Sequence, residues 1–190
     1  MGKISDTSKY ATVTPASNDL IIGTDVSDSN NTKTFTVGDI AGTDTYMEYF
    51  VINSSQLTSI SNTSDFFILI AITNSSVSSG SLTHANNQIT YTGEETRVFK
   101  FEATCSGTTS SNNVIHFAFA KNGATNPILS SEIIASSEQE AQADGTLVFP
   151  VTFQCLVSLS KNDFVRVYVK NSTGANAFTL NNINVIATAM

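Results

Sequence analysis

Two stretches of the sequence, Phe99-Lys-Phe-Glu-Ala-Thr-Cys105 and Val151-Thr-Phe-Gln-Cys-Leu-Val-Ser-Leu159, decide the fold class. In both stretches the odd-numbered residues are apolar, and in the first all the even-numbered residues between them are polar or small. Successive side chains of a β-strand point to opposite faces, so this spacing predicts two strands that each bury one face and leave the other in water. Cys105 and Cys155 both fall on the face that we expect to be buried.

Further candidate strands lie on either side of this pair and are separated by turns rich in Ser, Asn and Gly. They cover residues 46–52, 66–73, 88–91, 96–106, 113–121, 131–135, 146–159, 164–170 and 178–189. Several of the spacings match the rhythm of about 8–12 residues that is typical of an all-β sandwich. The best helical candidate, residues 136–143, is too short and loop-like for a helix. The sequence therefore predicts an all-β, antiparallel sandwich over residues 45–190.

The composition excludes some classes of function. Ser, Thr and Asn together make 68 of the 190 residues, charged residues make 13%, and the net charge is −7. A nucleic-acid-binding protein needs clustered Lys and Arg, and the nine basic residues of this chain are scattered. The longest apolar run, residues 66–72, is far shorter than the roughly 20 residues that span a bilayer. We therefore expect neither nucleic-acid binding nor membrane insertion.

The first 42 residues differ from the rest. Leu20-Ile21-Ile22 is a short strand candidate, and residues 33–37 alternate so that Phe35 and Val37 share a face. The residues between them favour a turn, which predicts a small hairpin. A lone hairpin is marginally stable in water, so we expect this segment to be ordered against a partner. The apolar residues that would make that contact are Ile4, Leu20, Ile21, Ile22, Phe35, Val37 and Ile40.

Two of the predicted strands are apolar or amphipathic on both faces. In residues 164–169 the three valines lie on one side and Phe164, Arg166 and Tyr168 on the other, and residues 115–120 behave similarly, with His116 on the second side. A monomeric sandwich needs one buried face per strand. The second face implies another cover, most simply a neighbouring subunit, with His116, Phe164 and Tyr168 at the interface.

No pattern in the sequence indicates a cofactor, a metal or a catalytic site. Cys105, Cys155, His84 and His116 do not have the spacing of a zinc site, and we interpret the cysteines as buried small residues, with a Cys105–Cys155 disulfide as the alternative. Acidic residues in loops could hold calcium but are better read as solvated turns. These are Asp25 and Asp28, and a second group of Glu132, Glu138, Glu140 and Asp144. We expect that the protein is not an enzyme.

Four pieces of the sequence, read together, resemble a known fold family. They are Thr96-Arg-Val-Phe-Lys-Phe-Glu-Ala-Thr-Cys-Ser-Gly107, His116-Phe-Ala-Phe-Ala-Lys-Asn-Gly123, Leu159-Ser-Lys-Asn-Asp-Phe-Val-Arg-Val-Tyr-Val-Lys-Asn171 and Asn181-Asn-Ile-Asn184. In order and spacing they are similar to the jelly-roll heads of the tumour-necrosis-factor and complement-globular type, although Asn162 stands where that family usually has Gly. The resemblance covers residues 88–190. It implies a jelly roll that assembles as a homotrimer.

The N-terminal segment carries a second resemblance. Its pieces Lys3-Ile-Ser-Asp6, Asn18-Asp-Leu-Ile-Ile-Gly-Thr-Asp25 and Thr32-Lys-Thr-Phe-Thr-Val-Gly-Asp-Ile40 look like the leaders of bacteriophage fibre and capsid-appendage proteins. This resemblance implies that residues 1–42 attach the protein to other virion proteins. It implies a capsid-attached fibre or decoration knob on the virion, made in the host cytoplasm and not secreted. The alternative is a tail-associated receptor-binding protein, whose partner would be a host-surface glycan or protein.

Overall fold

The computed structural model describes residues 20–25, 31–36, 45–69, 75–85, 87–110 and 112–190. The chain divides into two compact units, Met1–Thr43 and Asp44–Met190. Apart from one short 3-10 helix, Ala135–Ser137, every regular element in the described part of the chain is a β-strand. None of the helical structure in these residues is long and apolar enough to cross a membrane.

The first unit contains the predicted hairpin. Its strands β1 (Leu20–Asp25) and β2 (Asn31–Thr36) pair in antiparallel fashion, with Ile21 opposite Phe35. Strand β2 begins two residues before the predicted strand. Ile4, Val37 and Ile40 lie outside the described residues.

The second unit holds twelve strands in chain order. They are β3 (Tyr46–Val51), β4 (Gln56–Thr58), β5 (Phe67–Ile68), β6 (Ser75–Ser79), β7 (Leu82–Ala85), β8 (Gln88–Tyr91), β9 (Arg97–Thr109), β10 (Val114–Lys121), β11 (Gln139–Asp144), β12 (Leu147–Leu159), β13 (Phe164–Asn171) and β14 (Phe178–Ala189).

These strands form an antiparallel jelly-roll sandwich, as predicted. One layer has the order β6-β3-β14-β9-β12, and we call it the front sheet; the other has the order β11-β10-β13-β8-β7, and we call it the back sheet. Strand β11 pairs with β10 along most of its length and with β12 at its end, so it links the two layers. Strand β14 pairs with β3 on one side and β9 on the other, which places it inside the front sheet.

The core between the layers is built from the alternating residues of the long strands. Phe99, Phe101 and Ala103 of β9 are buried, and the ring of Phe101 meets that of Phe119 edge-on at 5.7 Å between centroids. Cys105 and Cys155 lie on this buried face, which confirms their predicted orientation. Both thiols are free.

A disulfide between the two cysteines is incompatible with the strand register. Cys105 lies opposite Val151, and Cys155 lies opposite Phe101, four residues further along the pair. At about 3.3 Å per residue the two cysteines are roughly 13 Å apart, well beyond the ~7 Å limit for a disulfide.

Two of the turns that carry the family resemblance lie side by side. The Asn122 side chain donates to the Asp163 carboxylate at 2.6 Å and accepts from the N–H of Phe164 at 2.9 Å, and Lys121 forms an ion pair with Asp163 at 2.8 Å. Asn162, which replaces the usual Gly, has φ = 69°. Asn tolerates this left-handed conformation better than other non-glycine residues, so the substitution preserves the turn.

The structure corrects one predicted strand and the reading of the helical candidate. Residues 131–135 form a turn and the start of the 3-10 helix, and most of 136–143 belongs to strand β11. Ile133 still reaches a buried cluster, but the turn bends the backbone away from the sheet, where Glu132 N–H donates to the Leu129 carbonyl at 2.9 Å. The predicted strand 66–73 is reduced, among described residues, to the two-residue β5 and the bridge at Phe66.

Candidate functional site

The solvent-facing side of the front sheet, which we call the front face, carries an unusual number of exposed apolar side chains. Five large apolar residues there have 39–60% of their surface exposed: Tyr46, Val77, Val98, Leu156 and Ile186. The alternation of the long strands causes this arrangement, because their odd-numbered residues fill the core and the even-numbered residues point outward. Isolated exposed apolar residues are common, but several on one sheet face are typical of a contact surface.

The register places most of these residues towards the two margins of the front face. Tyr46 lies on β3 beside edge strand β6, which carries Val77. Leu156 lies on β12 at the opposite margin, beside Lys100 of β9. Ile186, on β14, lies between the two margins and opposite Glu48 and Glu102.

Polar side chains fill the spaces between the apolar ones. Lys100 forms an ion pair with Glu102 at 2.7 Å, and the Thr104 and Thr152 hydroxyls hydrogen-bond across β9 and β12 at 2.9 Å. Asn184 donates to the Glu48 carboxylate at 3.0 Å, while its buried carbonyl oxygen has no hydrogen-bond partner in the described structure.

The β12 margin also carries a cavity. It has a volume of about 470 Å³, and its lining includes Lys100, Ser136, Gln154, Cys155 and Leu156. Strand β12 pairs with β11 only near Val148, so from Val151 onward its outer edge has no strand partner in the described structure. The 3-10 helix segment, which provides Ser136, lies beside this edge.

The residues predicted to form the trimer interface lie on the back sheet. The Nδ1 atom of His116 is 2.9 Å from the Glu138 carboxylate, and Nε2 is 3.1 Å from the Ser172 hydroxyl. Phe164 is half-buried and lies under the Arg166 guanidinium, 4.6 Å from the ring centre. A trimer contact through these residues stays a prediction.

Tyr168 is covered by other segments of its own chain. Its side chain is fully buried in a cluster with Phe66, Ile68, Ile128 and Ile133. The second apolar face of β10 and β13 is therefore covered by loop segments of the same chain, and a neighbouring subunit is not needed to bury it. Sequence reasoning could not foresee this cover, because residues 66–68 and 128–133 are distant from β13 in the sequence.

The front face was missed in the sequence, although a signal for it exists. In residues 151–159 the outward positions are Thr152, Gln154, Leu156 and Ser158, and Leu156 is the one apolar residue among them. Val98 and Ile186 likewise interrupt outward-facing polar series. Each such interruption is a weak signal in the sequence by itself. Only the register of the strands shows that these apolar residues share one surface.

Within the described residues, no group of three or more His, Cys, Asp or Glu side chains is placed to hold a metal ion. Burial raises the pKa values of Tyr49, Cys105 and Cys155, that of Cys155 to about 12, so these groups are neutral at physiological pH. Tyr49 donates to Asn87 at 2.8 Å inside the core, which is a structural role.

Comparison with known proteins supports the fold. No protein-family model matches the chain, and no curated protein matches it. Among solved structures, vertex protein P5 of the phage PRD1 aligns with 78% of this chain and 99% of its own, at 14% identity and a TM-score of 0.51. Murine APRIL aligns with 77% of this chain and 99% of its own, at 8% identity and a TM-score of 0.49. Eiger TNF from S. frugiperda aligns with 77% and 93%, at 12% identity and a TM-score of 0.43. At 14% identity, the likeness to the PRD1 vertex protein shows a shared fold alone.

Proposed function

We propose that the protein is a structural component of a phage particle: a homotrimeric fibre or decoration knob that is attached to the capsid and displayed on the virion surface. The exposed apolar front face carries the assembly part of this proposal. The fold likeness to a phage vertex protein and the leader-like sequence of residues 1–42 support the virion part. The protein acts by contact, and we infer that it has no enzymatic activity.

The front face suits an assembly that closes as a ring. Its two apolar margins differ: Tyr46 and Val77 lie on one, and Leu156 lies on the other with Val98 close by. When the β12 margin of one subunit packs on the β6 margin of the next, every subunit uses both margins, which is a heterologous contact that closes into a cyclic oligomer. The resemblance to trimeric jelly rolls sets the expected number of subunits at three.

The low charge of the chain favours close packing of identical copies. Charged residues make 13% of the chain, and on the front face Lys100 pairs with Glu102, while the Glu48 carboxylate accepts a hydrogen bond from Asn184. Repeated unpaired charges would repel across a symmetric seam. Hydroxyl and amide side chains keep the remaining surface hydrated without adding charges that would repel each other.

Light scattering of the full-length protein tests the assembly. We expect three times the mass of one chain for the wild type, and the monomer mass for Leu156→Glu, because a carboxylate would be buried at the seam. Leu129→Glu is the matched control, because Leu129 is 58% exposed, as against 60% for Leu156, but lies on the loop that covers the back sheet. A monomeric wild type, or a Leu156→Glu protein that stays trimeric, would refute the proposed seam.

Attachment to the particle needs a separate test. Ile21 and Phe35 are cross-strand partners in the hairpin, so we expect Ile21→Asp/Phe35→Asp to abolish incorporation into virions while the protein remains trimeric. Cryo-electron microscopy of the parent particle would then locate the wild-type protein. Density on the capsid supports the proposal; density on the tail would replace it with the receptor-binding alternative.

A further inference from the structure

The two ends of the sandwich are formed by different parts of the chain. The N–H of Ala189 donates to the Thr45 carbonyl, and the N–H of Met190 donates to the Val98 carbonyl, so residues 45 and 190 share one end. The described part of the second unit therefore both begins and ends at this end of the sandwich. Strand β9 runs 13 residues from there to Thr109, which puts the far end about 40 Å away.

The far end contains a cavity that the proposed assembly does not use. Its volume is about 450 Å³, and its lining includes Asn112, Gln142, Ala143 and Asp144. Asn112 comes from the connection between β9 and β10, and the other three residues form the end of β11. The volume lies within the range of about 300–1,000 Å³ that is usual for small-ligand sites.

The polar groups around this cavity are available to a ligand. The Asn112 side-chain oxygen accepts a hydrogen bond from the Gly145 N–H, which fixes the amide plane and leaves its NH₂ group as a donor. Within the described part of the chain, no residue hydrogen-bonds to the Gln142 amide or to the Asp144 carboxylate. The cavity therefore presents amide donors and acceptors beside a carboxylate acceptor.

We propose that this cavity binds a neutral saccharide through adjacent hydroxyl groups. Each sugar hydroxyl both donates and accepts, so one hydroxyl can donate to Asp144 while its neighbour accepts from the amide of Asn112 or Gln142. The inference rests on the proposed function, because a protein displayed on a virion surface can meet saccharides of a host surface.

The chemistry of the cavity disfavours other ligand classes. The Asp144 carboxylate and the net charge of −7 repel anionic ligands. Calcium takes six to eight oxygen ligands, usually with several carboxylates, whereas a single carboxylate lines this cavity among the described residues. An apolar ligand would leave the carboxylate and the amides without partners, which is unfavourable.

Titration of the ¹⁵N-labelled full-length protein tests the proposal. The probes are maltose, cellobiose and N,N′-diacetylchitobiose, each raised to about 20 mM, far above the ~1 mM dissociation constant of a weak site. We expect at least one of them to shift the side-chain amide signals of Asn112 and Gln142 saturably. Asp144→Ala should weaken that binding at least tenfold, whereas Glu95→Ala, an exposed carboxylate at the opposite end, should leave it unchanged.

The outcomes separate this proposal from the proposed function. Three results would overturn the saccharide site. They are the absence of any shift in both amide signals with all three saccharides, undiminished binding by Asp144→Ala, and a saturable shift caused by CaCl₂ alone. Saturable saccharide binding in a protein that is monomeric or absent from virions would uphold the site and overturn the structural role. A protein that is a trimer on the capsid but binds none of the saccharides would overturn the saccharide site and leave the structural role standing.

Discussion

The Tyr168 hydroxyl donates a 2.7 Å hydrogen bond to the backbone carbonyl of Ala124, and so ties strand β13 to the loop that covers it. The ring is fully buried. We expect Tyr168→Phe to lower the free energy of unfolding by about 1 kcal/mol, and Tyr168→Ala by about 3–5 kcal/mol, because the latter also leaves a cavity. Urea denaturation measures both changes. Tyr46→Phe, on the exposed front face, is the control, and a Tyr168→Ala protein as stable as this control would contradict the assigned cover.

The Asp163 carboxylate should stabilise the fold in a pH-dependent way. Partial burial alone would raise its pKa, but the hydrogen bonds from Asn122, Lys121 and the Ser160 N–H, together with the charge of Lys121, outweigh that effect and lower the pKa to about 2. Because this pKa lies below the value of about 3.9 in the unfolded chain, the stabilisation is present above about pH 4 and is lost as the pH falls towards 2.

The substitution Asp163→Asn isolates this contribution. We expect a loss of about 2 kcal/mol in unfolding free energy at pH 7 and nearly no loss at pH 2, measured by urea denaturation across the pH range. Glu95→Gln, which removes an exposed carboxylate, is the control for the loss of one charge. An Asp163→Asn difference that is the same at pH 7 and pH 2 would show that the charge of Asp163 is not what stabilises the turn.

The two cysteines should differ in their reactivity towards iodoacetamide. Burial raises the pKa of Cys155 to about 12, so at pH 8 only about one thiol in ten thousand is ionised, and the pKa of Cys105 is raised as well. Cys155 lines the cavity at the β12 margin, whereas Cys105 is fully enclosed. We expect slow labelling of the native protein, at Cys155 first, and rapid labelling of both in denaturant. Mass spectrometry of peptides prepared without reductant should find no Cys105–Cys155 disulfide.

Two glycines should respond differently to replacement by alanine. A Cβ atom at Gly107 would overlap the backbone oxygen of Thr179 and the ring of Phe178, and overpacking of this kind costs about 1–3 kcal/mol. At Gly145 a Cβ atom meets no described atom within 4 Å, but φ is 62°. We expect about 1 kcal/mol of backbone strain there. Thermal unfolding compares the two variants, and a greater loss for Gly145→Ala than for Gly107→Ala would refute this packing around Gly107.

The long strands could be predicted from the sequence because their buried faces are continuous. Phe99 and its alternate neighbours in β9 carry a period of two that no helix would show. Strands β4, β6 and β7 have only three to five residues each, too few for a period of two to stand out, and four of the five residues of β6 are Ser. Strand β11 was missed for a similar reason: its buried residues, Ala141 and Ala143, are small, and the alternation is faint.

The contact surfaces were harder to predict, because they depend on which loops fold back over the sheet. Tyr168 and Leu156 are both large residues on long strands. The first is covered by a loop of its own chain, and the second is exposed beside a cavity. The sequence near each residue does not distinguish these outcomes. The distinction comes from the pairing of Phe66 with Ile128, which lie 62 residues apart and hold the covering loops together.

The position of β14 inside the front sheet has a consequence for biosynthesis. Strands β3 and β9 both pair with residues 178–189, so neither can complete its hydrogen bonds until those residues have left the ribosome. During translation their edges and the Phe99 face stay open to water and to other nascent chains, which favours aggregation. The head therefore completes its fold only after β14 has been synthesised, and a nonsense mutation before Phe178 would disable the whole domain.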